Sequence, residues 1–128
     1  RSTGLRMDIR KLQKIAVAAL EDIKAKDIEV INTAKVSAMF DRVIIATGDS
    51  NRQVKALAKS VHDKVKEAGG TVIGVEGEDA GEWVLVDLGD IVVHVMQPAV
   101  RAYYNLEELW KVTPKRTRKK SAADSDGE

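Results

Sequence analysis

The chain has 128 residues, of which 44% are apolar, 32% are charged and 4% are aromatic; it has no cysteine, and its formal net charge is +1. This length suits one domain with a buried core. The lack of cysteine excludes a disulfide framework, a thiol nucleophile and a thiolate metal site. Near-neutral charge argues against a domain that works mainly by binding nucleic acid. With no apolar run of ~20 residues and no signal-like start, we expect a cytoplasmic protein and no membrane partner.

The two ends of the chain differ from its middle. Residues 1–6 are expected to be a cloning remnant or an N-terminal extension, with Met7 as the natural start. Residues 111–128 are a basic run followed by small and acidic residues, which predicts a disordered tail. That tail either attracts RNA or another polyanion weakly, or has no role. The single folded domain is therefore expected to span residues 7–110.

The first half of this domain alternates between helix and strand patterns. Apolar residues recur at three and four residues from Leu12 to Ile23, which predicts a helix with one buried stripe. Residues 27–31 alternate in polarity and predict a short strand. The run Val43 to Thr47 is continuous, mostly apolar and rich in β-branched residues, which is typical of a strand buried on both faces.

A second helix is predicted after Gly48, capped by Asp49 or Ser50, with an apolar stripe that ends at Val65. Residues 71–75 predict the next strand. A strand, helix and strand in this order favour a right-handed crossover and a parallel pair of strands.

Two alternating apolar runs within residues 82–97 surround Gly89-Asp90 and predict a hairpin. Glycine at the first of two loop positions fits a type II′ turn, which makes Leu88 face Ile91. One face of this hairpin is then wholly apolar and must lie on the core. The opposite face is mixed, and its predicted pairs are Asp87 with Val92, Leu85 with His94, and Trp83 with Met96.

The domain is expected to end with two short helical pieces. Pro98 can occupy the first position of a short helix, and Leu106 to Trp110 are expected to form a last turn. The whole order, α-β-β-α-β-β-β-α, predicts an α/β fold.

Motifs for catalysis are largely missing. There is no Gly-x-Ser-x-Gly, and neither His62 nor His94 has a nucleophile beside it in sequence. The two histidines lie on different predicted elements, which disfavours a metal site. We expect His62 to be a half-buried or surface side chain, and a ligand or base role for His94 stays open. No catalytic residue, metal ligand or cofactor is therefore predicted.

The segment from Gly48 to Asn51 has two interpretations. Its place between a strand and a helix N-terminus suits an anion, but Asp49 is acidic there and a simple capped turn is favoured. An enzyme that binds nucleotides is the alternative function. It would use Gly48 and Ser50 for phosphates and Asp87 or Asp90 for a metal.

The mixed hairpin face is the stronger candidate for function. A helix of the same domain covers it, or it is an exposed surface for another protein, rimmed by Glu82 and Asp87. Trp83 is the residue type that most often dominates such surfaces. A homodimer through this face is a third possibility.

These segments resemble one protein family. The strand-to-helix segment 45–54, the short segment 75–77, the hairpin 82–98 and the segment 106–110 occur in the order and spacing of the ribosomal silencing factor family, also called Iojap. The resemblance covers the chain from about Met7 to Trp110. It implies a mixed five-stranded sheet with flanking helices, similar to the nucleotidyltransferase-like fold but without its transfer chemistry.

The resemblance also implies a partner. Proteins of this kind bind ribosomal protein L-fourteen on the large subunit, block small-subunit joining sterically, and reduce translation when nutrients are short. The basic tail is a candidate for a weak contact with ribosomal RNA. Arg42 departs from the aromatic or apolar residue usual at its position. The contact residues expected on the hairpin face or carried over by position are Trp83, Leu85, Asp87, His94, Met96 and Gln97, with Gly77 and Glu82 near the loop and Asp41 before the buried strand.

Overall fold

Helices and strands alternate along the chain in the predicted order. The structure is a computed structural model that describes residues 8–35 and 40–104. Within these ranges no helix is both long and apolar enough to cross a lipid bilayer. The predictions for residues 1–6, for Leu106 to Trp110 and for the tail 111–128 lie outside the described residues. The elements are α1 (Ile9–Asp22), β1 (Lys26–Asn32), β2 (Arg42–Thr47), α2 (Asn51–Glu67), β3 (Gly74–Glu76), β4 (Trp83–Asp87), β5 (Ile91–Met96) and α3 (Pro98–Tyr104).

The five strands form one mixed sheet in the order β1-β2-β5-β4-β3. Strands β2 and β5 are parallel, and the other neighbouring pairs are antiparallel. The expected pairing of β2 with β3 is wrong, because β5 and β4 lie between them. The reason is burial: all six residues of β5 are buried and suit the centre of the sheet, whereas β3 has three residues and suits an edge.

Helices α1 and α2 pack together on one face of the sheet and form the main core with it. The predicted helix stripes explain this packing, since the helices bury the residues that recur at three and four positions. Ser50 is the N-cap of α2, and its Oγ accepts a hydrogen bond from the amide of Gln53 at 3.1 Å. The buried residues of α2 are Val54, Leu57, Ala58, Val61 and Val65, as predicted.

The hairpin has the predicted register, in which Trp83 pairs with Met96 and Leu85 pairs with His94. Gly89 has a φ of 92°, whereas Asp90 is not among the described residues with positive φ. These φ values fit the predicted type II′ turn. The amide of Leu88 donates to the carbonyl of Ile91 at 2.9 Å and joins the two strands beside this loop.

The other face of the sheet carries the short helix α3, which begins at Pro98 as predicted. Val100 of this helix packs against a small buried cluster of Val43, Ile45 and Met96. The guanidinium of Arg101 donates to the hydroxyl of Thr47 at 2.8 Å. Helix α3 is therefore fixed across the part of the sheet built from β2 and β5.

Candidate functional site

The face of the hairpin that points away from α1 and α2, here the outer face, is only half covered. On β5 its side chains are buried: Met96 is 0%, Val92 6% and His94 9% exposed. On β4 the side chains of Trp83 and Leu85 are partly exposed, as is Asp87. Of the two alternatives, a covered or an exposed outer face, the first therefore holds for β5 and the second holds in part for β4.

Helix α3, together with Phe40 and Ile31, covers the part of the outer face that contains Met96. Met96 lies in the small cluster against which Val100 and Trp83 pack, so its thioether has no free surface. The alternative of a covering helix is therefore confirmed at Met96. Met96 cannot itself be a contact residue in this conformation. Met96 is predicted from the sequence as a contact residue, and the structure instead places it in the buried cluster against which Trp83 packs.

Trp83 and His94 form a hydrogen-bonded pair on the outer face. The indole Nε1–H of Trp83 donates to Nδ1 of His94 at 3.0 Å, and the ring centroids are 5.8 Å apart. Because Nδ1 accepts, a neutral His94 carries its proton on Nε2. Burial lowers the pKa of His94 to about 4, so the imidazole is neutral near pH 7. His94 is therefore placed as a positioning residue for the indole.

Acidic residues flank the partly exposed part of β4 along the chain and on the neighbouring strand. Glu82 precedes Trp83, and Asp87 ends the strand. Glu76 of β3 is paired with Leu85 and is exposed, so it lies on the same face. The sequence interpretation missed Glu76, because only the pairing of β3 with β4 brings it here. We call the group Trp83, Leu85, Asp87, Glu76 and Glu82 the β4 strip.

Gly77 allows the loop before β4 to approach this strand closely. Its φ is 86°, and a Cβ built on it would lie 2.3 Å from the carbonyl oxygen of Trp83. Any other residue would therefore clash with backbone while adopting a left-handed conformation. Gly77 is exposed beside the β4 strip, and its evident role is to shape the loop.

Gln97 holds the other end of the same loop. Its amide group Nε2 donates to the side chain of Asn51 and to the carbonyl of Gly81, the latter at 3.3 Å. Its backbone amide donates to the carbonyl of Glu82 at 3.0 Å. Gln97 is thus half-buried and bonded within the domain, which fixes the loop and the start of β4.

Asp41 lies at the opposite end of the outer face, beside the hairpin turn. Its backbone amide donates to the carbonyl of Asp90 at 2.7 Å, and its carbonyl accepts from the amide of Thr33 at 2.9 Å. Trp83 and Asp87 are four positions apart along β4, which corresponds to about 13 Å. The predicted contact residues therefore fall into two groups at the two ends of β4: Gly77, Glu82, Trp83 and Gln97 at one end, and Asp41 and Asp87 at the other.

The turn between β2 and α2 is a capped turn rather than an open anion site. Gln53 bridges this turn. Its side-chain Oε1 accepts a hydrogen bond from the backbone amide of Asp49 at 2.7 Å, and its backbone amide donates to the hydroxyl of Ser50. The carboxylate of Asp49 lies 2.8 Å from the ammonium of Lys26. These contacts confirm the simpler interpretation of this segment.

The residues proposed for nucleotide chemistry are not brought together. Thr47 pairs with Met96, whereas Asp87 pairs with Val92, so Gly48 lies at the other end of β5 from Asp87. That separation is about 13 Å or more at the rise of a strand. In the described ranges no three acidic or histidine side chains are arranged to hold a metal ion. The geometry does not favour the alternative enzyme.

Comparison with known proteins gives a consistent result. Residues 6–128 match the family model described as ribosomal silencing factor during starvation, so the match runs past Trp110. The ribosomal silencing factor RsfS of Chromobacterium violaceum is 62% identical over 104 residues, covering 81% of this chain and 85% of that protein. The RsfS of Bacillus subtilis is 44% identical, covering 84% and 92%. The mouse mitochondrial assembly of ribosomal large subunit protein 1 is 33% identical, covering 84% of this chain and 46% of that protein.

Solved structures agree with these relatives. A crystal structure of a Chromobacterium violaceum protein with 62% identity superposes with a TM-score of 0.80, covering 81% of this chain and 87% of that one. A Bacillus halodurans structure with 40% identity gives 0.73, covering 79% and 94%. The family model spans most of the chain and the relatives share its fold, so this chain belongs to the ribosomal silencing factor family.

Proposed function

We propose that this protein binds the large ribosomal subunit through the β4 strip and, once bound, sterically blocks joining of the small subunit. The proposed direct partner is ribosomal protein L-fourteen, and the proposed outcome is lower translation in the cytoplasm when nutrients are limiting. Membership of the ribosomal silencing factor family supports the ribosomal role. The β4 strip supports the mode of binding.

The observation that carries the proposal is the state of Trp83. Its indole is partly exposed, yet its N–H is bonded to His94 at 3.0 Å and its ring packs on the cluster around Met96. A large side chain that is already held in one orientation loses little entropy on binding. Tryptophan in such a position is the residue type most often found as a binding hot spot.

The rim of the strip indicates the chemistry of the partner. Glu76 and Glu82 are exposed and Asp87 is partly exposed around Leu85 and Trp83, so the surface is apolar at its centre and negative at its edge. A partner with an apolar pocket and basic surroundings is complementary to it. Ribosomal proteins that themselves contact RNA offer such basic surfaces.

The proposed mechanism needs no reaction. A domain of about 100 residues has a radius of gyration of roughly 13 Å, and a second subunit cannot occupy the same volume. The contribution of this chain is a rigid body, docked by a preformed surface. Repression then depends on how long the complex lasts rather than on turnover.

Two measurements test this function. Sucrose-gradient sedimentation of mixed large and small subunits, with and without the protein, should show fewer joined particles and the protein migrating with the large subunit. A pull-down with purified ribosomal protein L-fourteen should capture the protein directly. Unchanged joining at saturating protein, or comigration with the small subunit, would reject the proposal.

Self-association through the same strip would compete with this function. Light scattering of the free wild type shows whether it is a monomer or a dimer. A dimer formed through Trp83 would dissociate when that residue is substituted. The proposal expects that any such dimer gives way when large subunits are added.

A further inference from the structure

Helix α2 presents a stripe of positive charge on the face of the domain opposite to the β4 strip. Four exposed basic residues follow one another at spacings of three, four and seven positions, which keeps them on one side of the helix. From first to last they span about 21 Å of helix. These residues, here the α2 stripe, are Arg52, Lys55, Lys59 and Lys66.

Most of this charge is not neutralised within the domain. Lys59 lies 3.0 Å from Asp63 with its side chain 76% exposed, whereas Arg52, Lys55 and Lys66 form no ion pair with another residue of the described ranges. Glu78 and Asp79 lie across a groove of about 530 Å³ from Lys55 and Lys59. Glu78 and Asp79 therefore reduce the positive charge next to the groove, and they do not cover the solvent-facing side of α2.

Charge is segregated between the two faces, although the chain as a whole is nearly neutral. Helix α2 holds five basic and two acidic residues. Residues 71–104, which include the β4 strip, hold six acidic residues and one basic residue. Two of these acidic residues, Glu78 and Asp79, line the groove beside α2, and the other four are Glu76, Glu82, Asp87 and Asp90. Since α2 and the outer face lie on opposite sides of the sheet, the α2 stripe and the β4 strip lie on opposite surfaces of the domain.

We propose that the α2 stripe binds the phosphate backbone of RNA, and this inference rests on the proposed function, because the large subunit supplies that RNA. Backbone binding requires only positive charge at suitable spacing. A protein partner would instead need apolar anchors, and none of the large exposed apolar residues of the described ranges lies on α2. Ribosomal RNA beside the docked protein is the polyanion that this surface fits.

The salt dependence of binding tests the inference. Affinity of the full-length protein for purified large subunits is measured between about 50 and 200 mM salt, where each phosphate contact adds close to one unit to the slope of log K against log salt. The triple substitution Lys55→Gln, Lys59→Gln and Lys66→Gln removes three of these contacts. It should lower the slope by about 2 to 3 and weaken binding roughly tenfold or more at low salt. Its matched control removes three exposed charges elsewhere, by Lys14→Gln, Lys24→Gln and Lys35→Gln. That control should leave the slope unchanged.

A second arm uses a labelled RNA duplex of about 20 base pairs followed by fluorescence anisotropy. The stripe variant should bind this duplex more weakly than the control variant does. If the stripe variant keeps the wild-type slope and affinity for subunits, the inference is overturned while the proposed function stands. If it loses subunit affinity but keeps duplex affinity, an acidic protein is the partner and the RNA inference is overturned. If the wild type does not bind subunits, the proposed function fails, and the duplex measurement alone then tests whether the α2 stripe binds RNA.

Discussion

The indole N–H of Trp83 donates to Nδ1 of His94 across neighbouring strands at 3.0 Å. This bond joins a buried imidazole to a partly exposed indole, so the interior of the domain sets the orientation of the residue proposed to dock. The neutral form of His94 is required, because protonation of Nδ1 removes the acceptor. Burial favours that form by lowering the pKa of His94 to about 4.

Stability should therefore depend on pH through His94. In the unfolded chain the imidazole titrates near pH 6.5, whereas in the folded chain it titrates near pH 4. As pH falls below 6.5 the unfolded state binds the proton first, so the folded state loses stability until about pH 4. Between pH 7 and pH 5 the loss attributable to His94 is about 2 kcal/mol.

Urea unfolding of the wild type and of His94→Gln at several pH values measures this effect. Other titrating groups are common to both proteins, so the difference in the free energy of unfolding isolates His94. The wild type should be the more stable by a margin that shrinks between pH 7 and pH 5. A margin that stays constant over this range would contradict the burial of a neutral imidazole.

Of Gly69, Gly74 and Gly77, we expect Gly77 to lose the most stability on substitution by alanine. Gly77→Ala combines a left-handed φ with a Cβ 2.3 Å from the carbonyl of Trp83, and we expect a loss of about 3 kcal/mol or more. Gly69→Ala has the positive φ but open space and should cost about 1 kcal/mol. Gly74→Ala has neither constraint. Thermal unfolding of the three variants should give this ranking, and equal losses at Gly77 and Gly69 would show that the close approach is unimportant.

The two faces of the hairpin should separate stability from binding. Val93 is fully buried on the core face, so Val93→Ala should lower the free energy of unfolding by about 2 kcal/mol without changing the affinity of the folded protein. Leu85 is partly exposed on the outer face, so Leu85→Ala should weaken large-subunit binding with a smaller loss of stability. Denaturation curves and binding isotherms for both variants check this contrast. The reverse pattern would show that the roles of the two faces are assigned wrongly.

Local patterns in the sequence predict much of this fold. The II′ turn at Gly89 fixes the pairing of Trp83 with Met96, because a two-residue loop permits one register. The stripe of α2 predicts its buried residues, because each apolar position repeats at the helical period. Both features depend on residues close together in the chain.

Features that depend on distant residues are not predictable in the same way. Met96 is buried in a cluster against which Phe40, Trp83 and Val100 pack, and the sequence indicates that α3 exists without indicating which face it covers. Glu76 joins the β4 strip only through the pairing of β3 with β4. The hydrogen bond between Trp83 and His94 requires both the register and the side-chain orientations. The sequence could therefore place the candidate site on the hairpin, but it could not predict all the residues that form it.

The affinity of Trp83→Ala for purified large ribosomal subunits is the most direct test of the docking surface. The substitution should weaken binding by about 2 kcal/mol, or roughly 30-fold, in a protein whose circular dichroism shows that it remains folded. Val30→Ala, which removes an exposed apolar side chain at the far edge of the sheet, should bind as the wild type does. Wild-type affinity in the folded Trp83→Ala protein would contradict the account.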